Sequence, residues 1–136
     1  MIFEKPQKVL FRHCDPAGII FYPRYFEMVN DLVEAFFAEA LDWPFEELLK
    51  TNGVPTAEIS LRFVAPSRHG DRLILTLEVT RLGRASMGLS LRAIADTGEL
   101  RFEGASVLVH VDATGKPAPW PAPIRTRINS EMDKTS

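Results

Sequence analysis

A carboxylate set in stiff backbone stands out near the start of the chain. Asp15 is followed at once by Pro16, and Gly18 comes three residues after the aspartate. Proline fixes its own φ and has no N–H, whereas glycine adopts conformations that other residues avoid, so we expect a bent, rigid loop. Pro23 is typical of the first turn of a helix. The sequence therefore predicts an acidic side chain beside a helix N-terminus.

This combination suits chemistry on a polar carbonyl group. The carboxylate of Asp15 would attack the carbonyl carbon or activate water, and unpaired N–H groups at the helix start would stabilise the developing oxyanion. A simpler interpretation is that Asp15 only caps the turn before Pro16. Local chemistry alone favours the capping role, because Asp-Pro-x-Gly is a weakly specific pattern.

A longer stretch, Val9 to Phe26, closely resembles the signature of the 4-hydroxybenzoyl-CoA thioesterase family of hotdog-fold enzymes. Lys8 and Ile20 depart from the family pattern, but neither change removes a chemical group. The resemblance covers roughly residues 5–111 and continues through Gly53, Phe63-x-x-Pro66, Gly70-Asp71 and Gly83-x-x-Ser86.

The resemblance implies roles for two residues of this stretch. In that family the loop aspartate is the catalytic carboxylate, which corresponds to Asp15, and a backbone N–H at the helix start polarises the thioester, which corresponds to the Tyr22 amide. The implied activity is hydrolysis of an acyl-CoA, such as 4-hydroxybenzoyl-CoA or another aromatic acyl-CoA. A short-chain aliphatic acyl-CoA thioesterase and a non-catalytic acyl-CoA-binding protein are the alternatives. No cofactor is expected, because coenzyme A is part of the substrate.

The nucleotide of CoA needs cations or backbone amides near its phosphates. Two turns at the ends of predicted strands offer such groups, and the resembled family binds CoA with these turns. Taken singly, each arginine is more simply interpreted as an ordinary surface charge. The predicted CoA-binding residues are Arg68, His69, Arg84 and Ser86, ahead of Arg62 and Arg81.

Apolar side chains next to Asp15 are predicted to hold the acyl group, which could be aromatic or short and aliphatic. Gly18 belongs to the same predicted substrate-binding loop. We interpret His13 as a binding or structural residue and not as a catalytic partner of Asp15, because residues two apart in a tight loop often point away from each other. The predicted acyl wall consists of Ile19, Phe21, Tyr22 and Phe26.

Other catalytic groups fit the sequence less well. The carboxylate of Asp15 disfavours the thiolate that a Cys14 nucleophile would need. Glu27 or Asp31 on the helix is an alternative acid, since a related subclass of hotdog thioesterases uses one there. A hotdog dehydratase would need a His-Phe-Pro run, which is absent. Metal ligand spacing is also absent from the three histidines, His13, His69 and His110.

Composition and charge narrow the class of protein. The 136 residues are 46% hydrophobic and 25% charged, which is typical of one globular domain. A net charge of −2 without a basic run argues against a nucleic-acid partner. A single cysteine excludes an internal disulfide. With no signal pattern and no apolar run of membrane-spanning length, we expect a cytoplasmic, single-domain protein without a membrane partner.

Hydrophobic periodicity predicts one long helix and an antiparallel sheet. The helix, about Arg24 to Leu41, is apolar over most of its circumference and must be surrounded. A parity change at Gly104 predicts a bulge in the last strand. A sheet curled around one helix is the hotdog fold, of the α+β class. A short helix is expected around residues 44–52, and the five strands over 8–12, 56–63, 73–80, 87–94 and 100–111.

Two expectations concern assembly and the tail. Such a sheet leaves an exposed edge strand that pairing with a second copy would cover, so we predict at least a homodimer. The resemblance implies a homotetramer with active sites at the dimer interface. Beyond Asp112, alternate prolines predict an extended strap or mobile end, with Trp120 and Ile124 docked and residues 132–136 loose.

Overall fold

The computed structural model describes residues 1–135. Five strands form one antiparallel sheet in the order β1-β3-β4-β5-β2, which confirms the predicted α+β hotdog arrangement of a sheet and one long helix. No helix in the described part of the chain is long and apolar enough to cross a membrane. The elements are β1 (Ile2–Lys8), a 3-10 turn (Phe11–His13), α1 (Pro23–Glu39), α2 (Phe45–Leu48), β2 (Thr56–Phe63), β3 (Arg72–Leu82), β4 (Ser86–Ala95), β5 (Leu100–Val109) and α3 (Ala122–Thr135).

Helix α1 packs across one face of the sheet. Pro23 occupies its first turn, as the sequence predicted. Phe36 packs on Phe3 of β1, with ring centroids 5.7 Å apart, and Tyr25 packs edge-on against Phe102 of β5 at 5.0 Å. Alternate residues of β3 and β4 are buried in the same core. The sheet therefore contacts α1 from the β1 edge as far as β5. The contact between Tyr25 and Phe102 holds the N-terminal end of the helix in place.

The first strand and the short helix differ from the prediction. β1 covers Ile2–Lys8, not residues 8–12, and pairs with β3 along its length. Pro6 is tolerated because β1 is an edge strand, where one side of the backbone needs no partner. Phe11–His13 forms a 3-10 turn instead. α2 has only four residues, because the chain after Leu48 continues in turns.

The tail is wrongly predicted beyond residue 121. It forms helix α3 through Thr135, and residue 136 lies outside the described part of the chain. The prolines permit this because they lie at the helix N-terminus, where a missing N–H leaves no bond unmade. The carbonyl of Pro121 accepts the N–H of Ile124 at 3.0 Å. Trp120 and Ile124 are buried, as predicted, and Ile128 joins them.

The irregularity in β5 lies at Arg101 and not at Gly104. Arg101 is the extra residue opposite the Ala93–Ile94 step of β4, whereas Gly104 pairs regularly with both neighbouring strands. Glycine fits at position 104 because a Cβ atom there would overlap the carbonyl oxygen of Ser60 on β2. The predicted parity change at Gly104 is therefore wrong, because Phe102, Ser106 and Leu108 are buried with one parity across it, and the bulged residue is the buried Arg101.

Arg101 forms a partly buried ion pair. Its Nη1 donates to Asp71 Oδ2 at 2.7 Å, and the Arg68 backbone N–H donates to the same oxygen at 2.9 Å. Its Nε lies 2.7 Å from a Glu99 carboxylate oxygen but without hydrogen-bond geometry. The hydrogen bond from Arg101, and next that from Arg68, hold the pKa of Asp71 below its usual value.

We predict that Asp71→Asn lowers the free energy of unfolding at pH 7 by about 2 kcal/mol, because it weakens a charge-assisted hydrogen bond. The folded-state pKa of Asp71 is depressed, so its contribution is complete above the unfolded value of about 4 and disappears as the pH falls through the folded value. The difference between wild type and variant should therefore shrink at acid pH. Urea unfolding at pH 7 and at about pH 2.5 measures it.

The matched control is Asp96→Asn, because Asp96 is exposed in the turn between β4 and β5. Its effect should stay within about 0.5 kcal/mol at neutral pH. An Asp71→Asn loss of equal size at both pH values would contradict the ion-pair explanation.

Candidate active site

Asp15 lies at the tip of a short hairpin between β1 and α1. The arms of the hairpin pair through a bridge between Cys14 and Ile20. Gly18 closes the tip with a φ of 81°, a conformation that favours glycine. Asp15 Oδ1 accepts the Ala17 N–H at 2.9 Å, so the capping role considered above is present. Within the described chain no hydrogen bond reaches Oδ2, which leaves one carboxylate oxygen for a substrate or a water.

The same hairpin ends in an unpaired backbone donor. The Phe21 N–H donates to the His13 carbonyl at 3.0 Å, and Pro23 has no N–H. Between them, the Tyr22 N–H has no acceptor among residues 1–135. Tyr22 is the N-cap of α1, so its N–H adds to the positive end of the helix dipole. One structural unit thus carries the Asp15 carboxylate and a free donor.

His13 lies buried at the base of the hairpin. Its Nδ1 accepts the Leu10 N–H at 2.9 Å, a bond that requires this nitrogen to be unprotonated. Burial, and next the charge of Arg12, lower the pKa of His13, so the imidazole is neutral at physiological pH. The His13 carbonyl also accepts the Phe21 N–H. This geometry supports the structural role for His13, and a contact with substrate stays a prediction.

Aromatic side chains surround the start of α1. Phe21 and Tyr22 are 49% and 57% exposed, and their ring centroids lie 5.6 Å apart. Phe63, at the end of β2, contacts Tyr22, Tyr25 and Phe26 at 5.9, 5.6 and 6.2 Å. The sequence predicted the wall but omitted Phe63 from it. The available signal was a large aromatic residue at the end of a strand, 44% exposed in the structure.

The Pro66–Asp71 turn lies against the hairpin. Ile19 and Arg68 form an antiparallel bridge, and the Ile20 N–H donates to the Ser67 carbonyl at 2.8 Å. Arg68 and His69 are exposed beside the hairpin, and the His69 ring lies 6.0 Å from that of Phe11. The structure therefore brings two of the predicted CoA-binding residues close to Asp15.

The other two predicted CoA-binding residues, Arg84 and Ser86, lie elsewhere in the same chain. β3 separates the two turns, and its 11 residues extend for about 35 Å. The Gly83 turn is held by the tail instead: Arg125 donates to the Gly83 carbonyl at 2.6 Å and the Trp120 N–H to the Arg84 carbonyl at 3.1 Å. The two turns of one chain therefore do not meet around one ligand.

A cavity of about 230 Å³ opens between α1 and β2, next to Phe26 of the aromatic wall. Its surface is mainly apolar, with Asn30 as a polar group contributed by α1. No pattern in the sequence singles out Asn30, since a lone amide on a helix is usually solvated. The lining residues are Phe26, Val29, Asn30, Val33, Phe45, Val54, Thr56, Ile59, Ser106 and Leu108.

A second groove, of about 370 Å³, lies between α1 and β1, and contains Met28, Leu75 and the Lys5–Glu39 ion pair. It is larger, but no residue of the Asp15 hairpin or of the aromatic wall lines it, whereas Phe26 of the wall lines the smaller cavity. We therefore assign the candidate active site to the hairpin and the neighbouring smaller cavity. Residues 1–135 contain no group of three or more His, Cys, Asp or Glu side chains that could hold a metal ion.

Comparisons with known proteins identify the family of the chain. Residues 9–128 match the family model of the thioesterase-like superfamily. A 1,4-dihydroxy-2-naphthoyl-CoA thioesterase from Synechocystis is 20% identical, over 95% of this chain and 96% of that one, with a TM-score of 0.87. A gentisyl-coenzyme A thioesterase is 26% identical, over 94% and 99%, with a TM-score of 0.81. The curated proteins provide no match.

Another similar structure is a mutant of 4-hydroxybenzoyl-CoA thioesterase complexed with 4-hydroxybenzoyl-CoA. It is 19% identical, over 93% of this chain and 98% of that one, with a TM-score of 0.85. The family match spans the Asp15 hairpin, α1 and strands β2 to β5. The chain therefore belongs to the thioesterase-like superfamily and is a thioester hydrolase with the hotdog fold, as the sequence predicted.

Proposed function

We propose that this protein hydrolyses an acyl-CoA thioester and that Asp15 is the catalytic carboxylate. The observation that carries the proposal is the hairpin itself. It holds a half-buried carboxylate with one unbonded oxygen and ends at the unpaired N–H of Tyr22. The Tyr22 N–H would donate a hydrogen bond to the thioester oxygen and stabilise the oxyanion that forms. No cofactor is needed, because coenzyme A belongs to the substrate.

Two chemical routes fit this arrangement. In the first, Asp15 attacks the carbonyl carbon, the C–S bond breaks, CoA leaves as a thiolate, and water then hydrolyses the mixed anhydride. In the second, Asp15 removes a proton from water as that water attacks the same carbon. Both give the free acid and CoA. A thiolate is a good leaving group, so neither route depends on a strong general acid.

The acyl group would lie against the aromatic wall and enter the adjoining cavity. Phe21, Tyr22, Phe26 and Phe63 offer ring faces and edges that suit an aromatic acyl group. The names of the three similar thioesterases refer to aromatic acyl-CoA substrates. We therefore propose an aromatic acyl-CoA, such as 4-hydroxybenzoyl-CoA, as the substrate class. A short aliphatic acyl-CoA is the alternative, because the cavity surface is mainly apolar.

The complete site would contain residues from two copies of the chain. Nearly every residue of β2, a free edge of the sheet, is exposed, and Phe63 lies at its end. Pairing this edge with a second copy would cover that surface. A Gly83 turn from the second copy would also supply Arg84 and Ser86 to the CoA held near Arg68 and His69. We propose a homodimer as the catalytic unit and a homotetramer as its assembly.

Replacing Asp15 with Asn should lower kcat by a factor of about 1,000 or more, because the amide cannot act as base or nucleophile. The affinity for acyl-CoA should change little, since the amide is isosteric. Thiol release from a series of aromatic and aliphatic acyl-CoAs measures kcat, and calorimetry measures binding. The matched variant is Glu27→Gln, on the exposed face of α1, where Glu27 pairs with Arg24 at 2.8 Å.

A large loss in Glu27→Gln with near-normal turnover in Asp15→Asn would assign the reaction to a helix acid and overturn the proposal. Binding without turnover in the wild type, across the whole series, would indicate the non-catalytic alternative.

The same acyl-CoA series tests the substrate class. We expect kcat/KM to be highest for aromatic acyl groups and to be at least about tenfold lower for acetyl-CoA, because a short chain leaves the aromatic wall without contacts. Phe63→Ala should reduce this preference. A flat profile over short aliphatic chains would instead support a general short-chain thioesterase.

A complementation experiment tests whether sites are shared between copies. Asp15→Asn and Arg84→Ala chains should each be poorly active at low acyl-CoA concentration, but their coexpression should restore about a quarter of wild-type activity. Random pairing makes about half of the dimers heterodimers. In a two-fold symmetric heterodimer one site carries both changes and the other is intact, so about a quarter of all sites are active. Sedimentation should give a mass of at least twice the 15.3 kDa chain. An active monomer, or no restoration, would contradict the shared site.

A further inference from the structure

Ser67 is fully buried at the junction of three elements of the structure. Its Oγ accepts a hydrogen bond from Tyr25 Oη at 2.7 Å, and Tyr25 belongs to the first turns of α1. The same oxygen accepts Arg101 Nη1, from β5, at 3.1 Å. Its carbonyl accepts the Ile20 N–H of the hairpin at 2.8 Å. One residue therefore connects the helix, the sheet and the loop that carries Asp15.

Arg101 fixes the shape of the turn that contains Ser67. Besides Ser67 Oγ, its Nη1 donates to the Pro66 carbonyl at 3.2 Å and to Asp71 Oδ2 at 2.7 Å. The Arg68 N–H donates to the same Asp71 oxygen. The two ends of the turn are thus tied to one guanidinium, and the turn cannot shift without breaking several hydrogen bonds together.

Stability alone gives a weak reason for this network. Ser67, Tyr25 and Arg101 are all buried, and removing an arginine from water costs free energy that its ion pair only partly restores. Apolar side chains of similar volume often stabilise an interior equally well. Directional hydrogen bonds add a defined geometry, which a catalytic arrangement needs more than a core does.

We infer that Tyr25, Ser67 and Arg101 are positioning residues that set the location of the Asp15 carboxylate relative to the Tyr22 amide. Tyr25 holds the helix end that carries the amide, and Ser67 holds the Ile20 arm of the hairpin. Arg101 anchors both to β5. The inference rests on the proposed function, since the network acts through Asp15 and Tyr22 and does not itself contact the reacting atoms.

Tyr25→Phe and Ser67→Ala each remove one hydroxyl group and should lower kcat about tenfold, with KM within about twofold of wild type, because the carboxylate and the oxyanion donor lose their alignment. The double variant should lose little more than either single variant, since the two hydroxyls share one hydrogen bond. Steady-state kinetics with the preferred aromatic acyl-CoA measures each change.

Asn52→Ala is the matched control for lost stability. The Asn52 side chain hydrogen-bonds to buried His110 at 2.9 Å, just beyond the end of β5 opposite Arg101. Asn52→Ala should lower the unfolding temperature about as much as Tyr25→Phe does, but should leave kcat unchanged. An equal kcat loss in Asn52→Ala, or an unchanged kcat in Tyr25→Phe, would overturn the inference.

The Asp15→Asn background separates this inference from the proposed function. If the network sets the position of Asp15 relative to the Tyr22 amide, adding Tyr25→Phe to Asp15→Asn should lower the residual rate by about threefold or less, because only the placement of the amide is then left to lose. A further tenfold loss would show that Tyr25 acts independently of Asp15 and would overturn the inference. An active Asp15→Asn chain would overturn the proposed function itself, whatever Tyr25→Phe does.

Discussion

The pairing of the Asp15 hairpin with the Pro66–Asp71 turn is the constraint on which the candidate site depends. A surface loop with a proline and a glycine has no apolar core of its own and would otherwise sample several conformations. Here its second arm is joined to the turn through Ile19 and Ile20, and its base is joined to the chain before it through buried His13. The loop thereby becomes a fixed extension of the sheet.

The N-terminus of α1 contributes more to the candidate site than the rest of the helix does. Its apolar surface requires the sheet to cover it, and that packing places Pro23 and Tyr22 beside the hairpin. The unpaired N–H of Tyr22 follows from helix geometry, because the first N–H groups of any helix have no partner within it. The packing of α1 against the sheet thus places a backbone hydrogen-bond donor for an oxyanion without the use of a dedicated side chain. The acid and the donor are local in sequence, so one short segment encodes both.

Much of this organisation could be predicted because its causes are local. The alternation of apolar and polar residues in β2 predicts a strand, and the apolar residues of α1 recur at the spacing of a helix. Pro23 marks the helix start. The family resemblance added Asp15 and Tyr22. The tail was mispredicted because Pro121 and Pro123 were interpreted as helix breakers, although at a helix N-terminus they are compatible with α3.

The contributions that escaped prediction are long-range. Tyr25 and Ser67 lie 42 positions apart and the Arg101–Ser67 contact spans 34, so no local pattern connects them. Phe63 became part of the aromatic wall only because β2 ends beside α1. Arg84 illustrates the converse, since a suitable residue in a suitable turn lies at the far end of β3. A sequence predicts chemistry within a segment better than it predicts which segments meet.

The most direct test is a crystal structure of the Asp15→Asn protein with an uncleaved aromatic acyl-CoA. The account predicts the thioester oxygen about 3 Å from the Tyr22 nitrogen and the carbonyl carbon about 3.5 Å from the side chain at position 15. The acyl ring should contact Phe63, and the nucleotide should lie near Arg84 of a second copy. A thioester bound in the groove between α1 and β1, away from the Tyr22 amide, would contradict it.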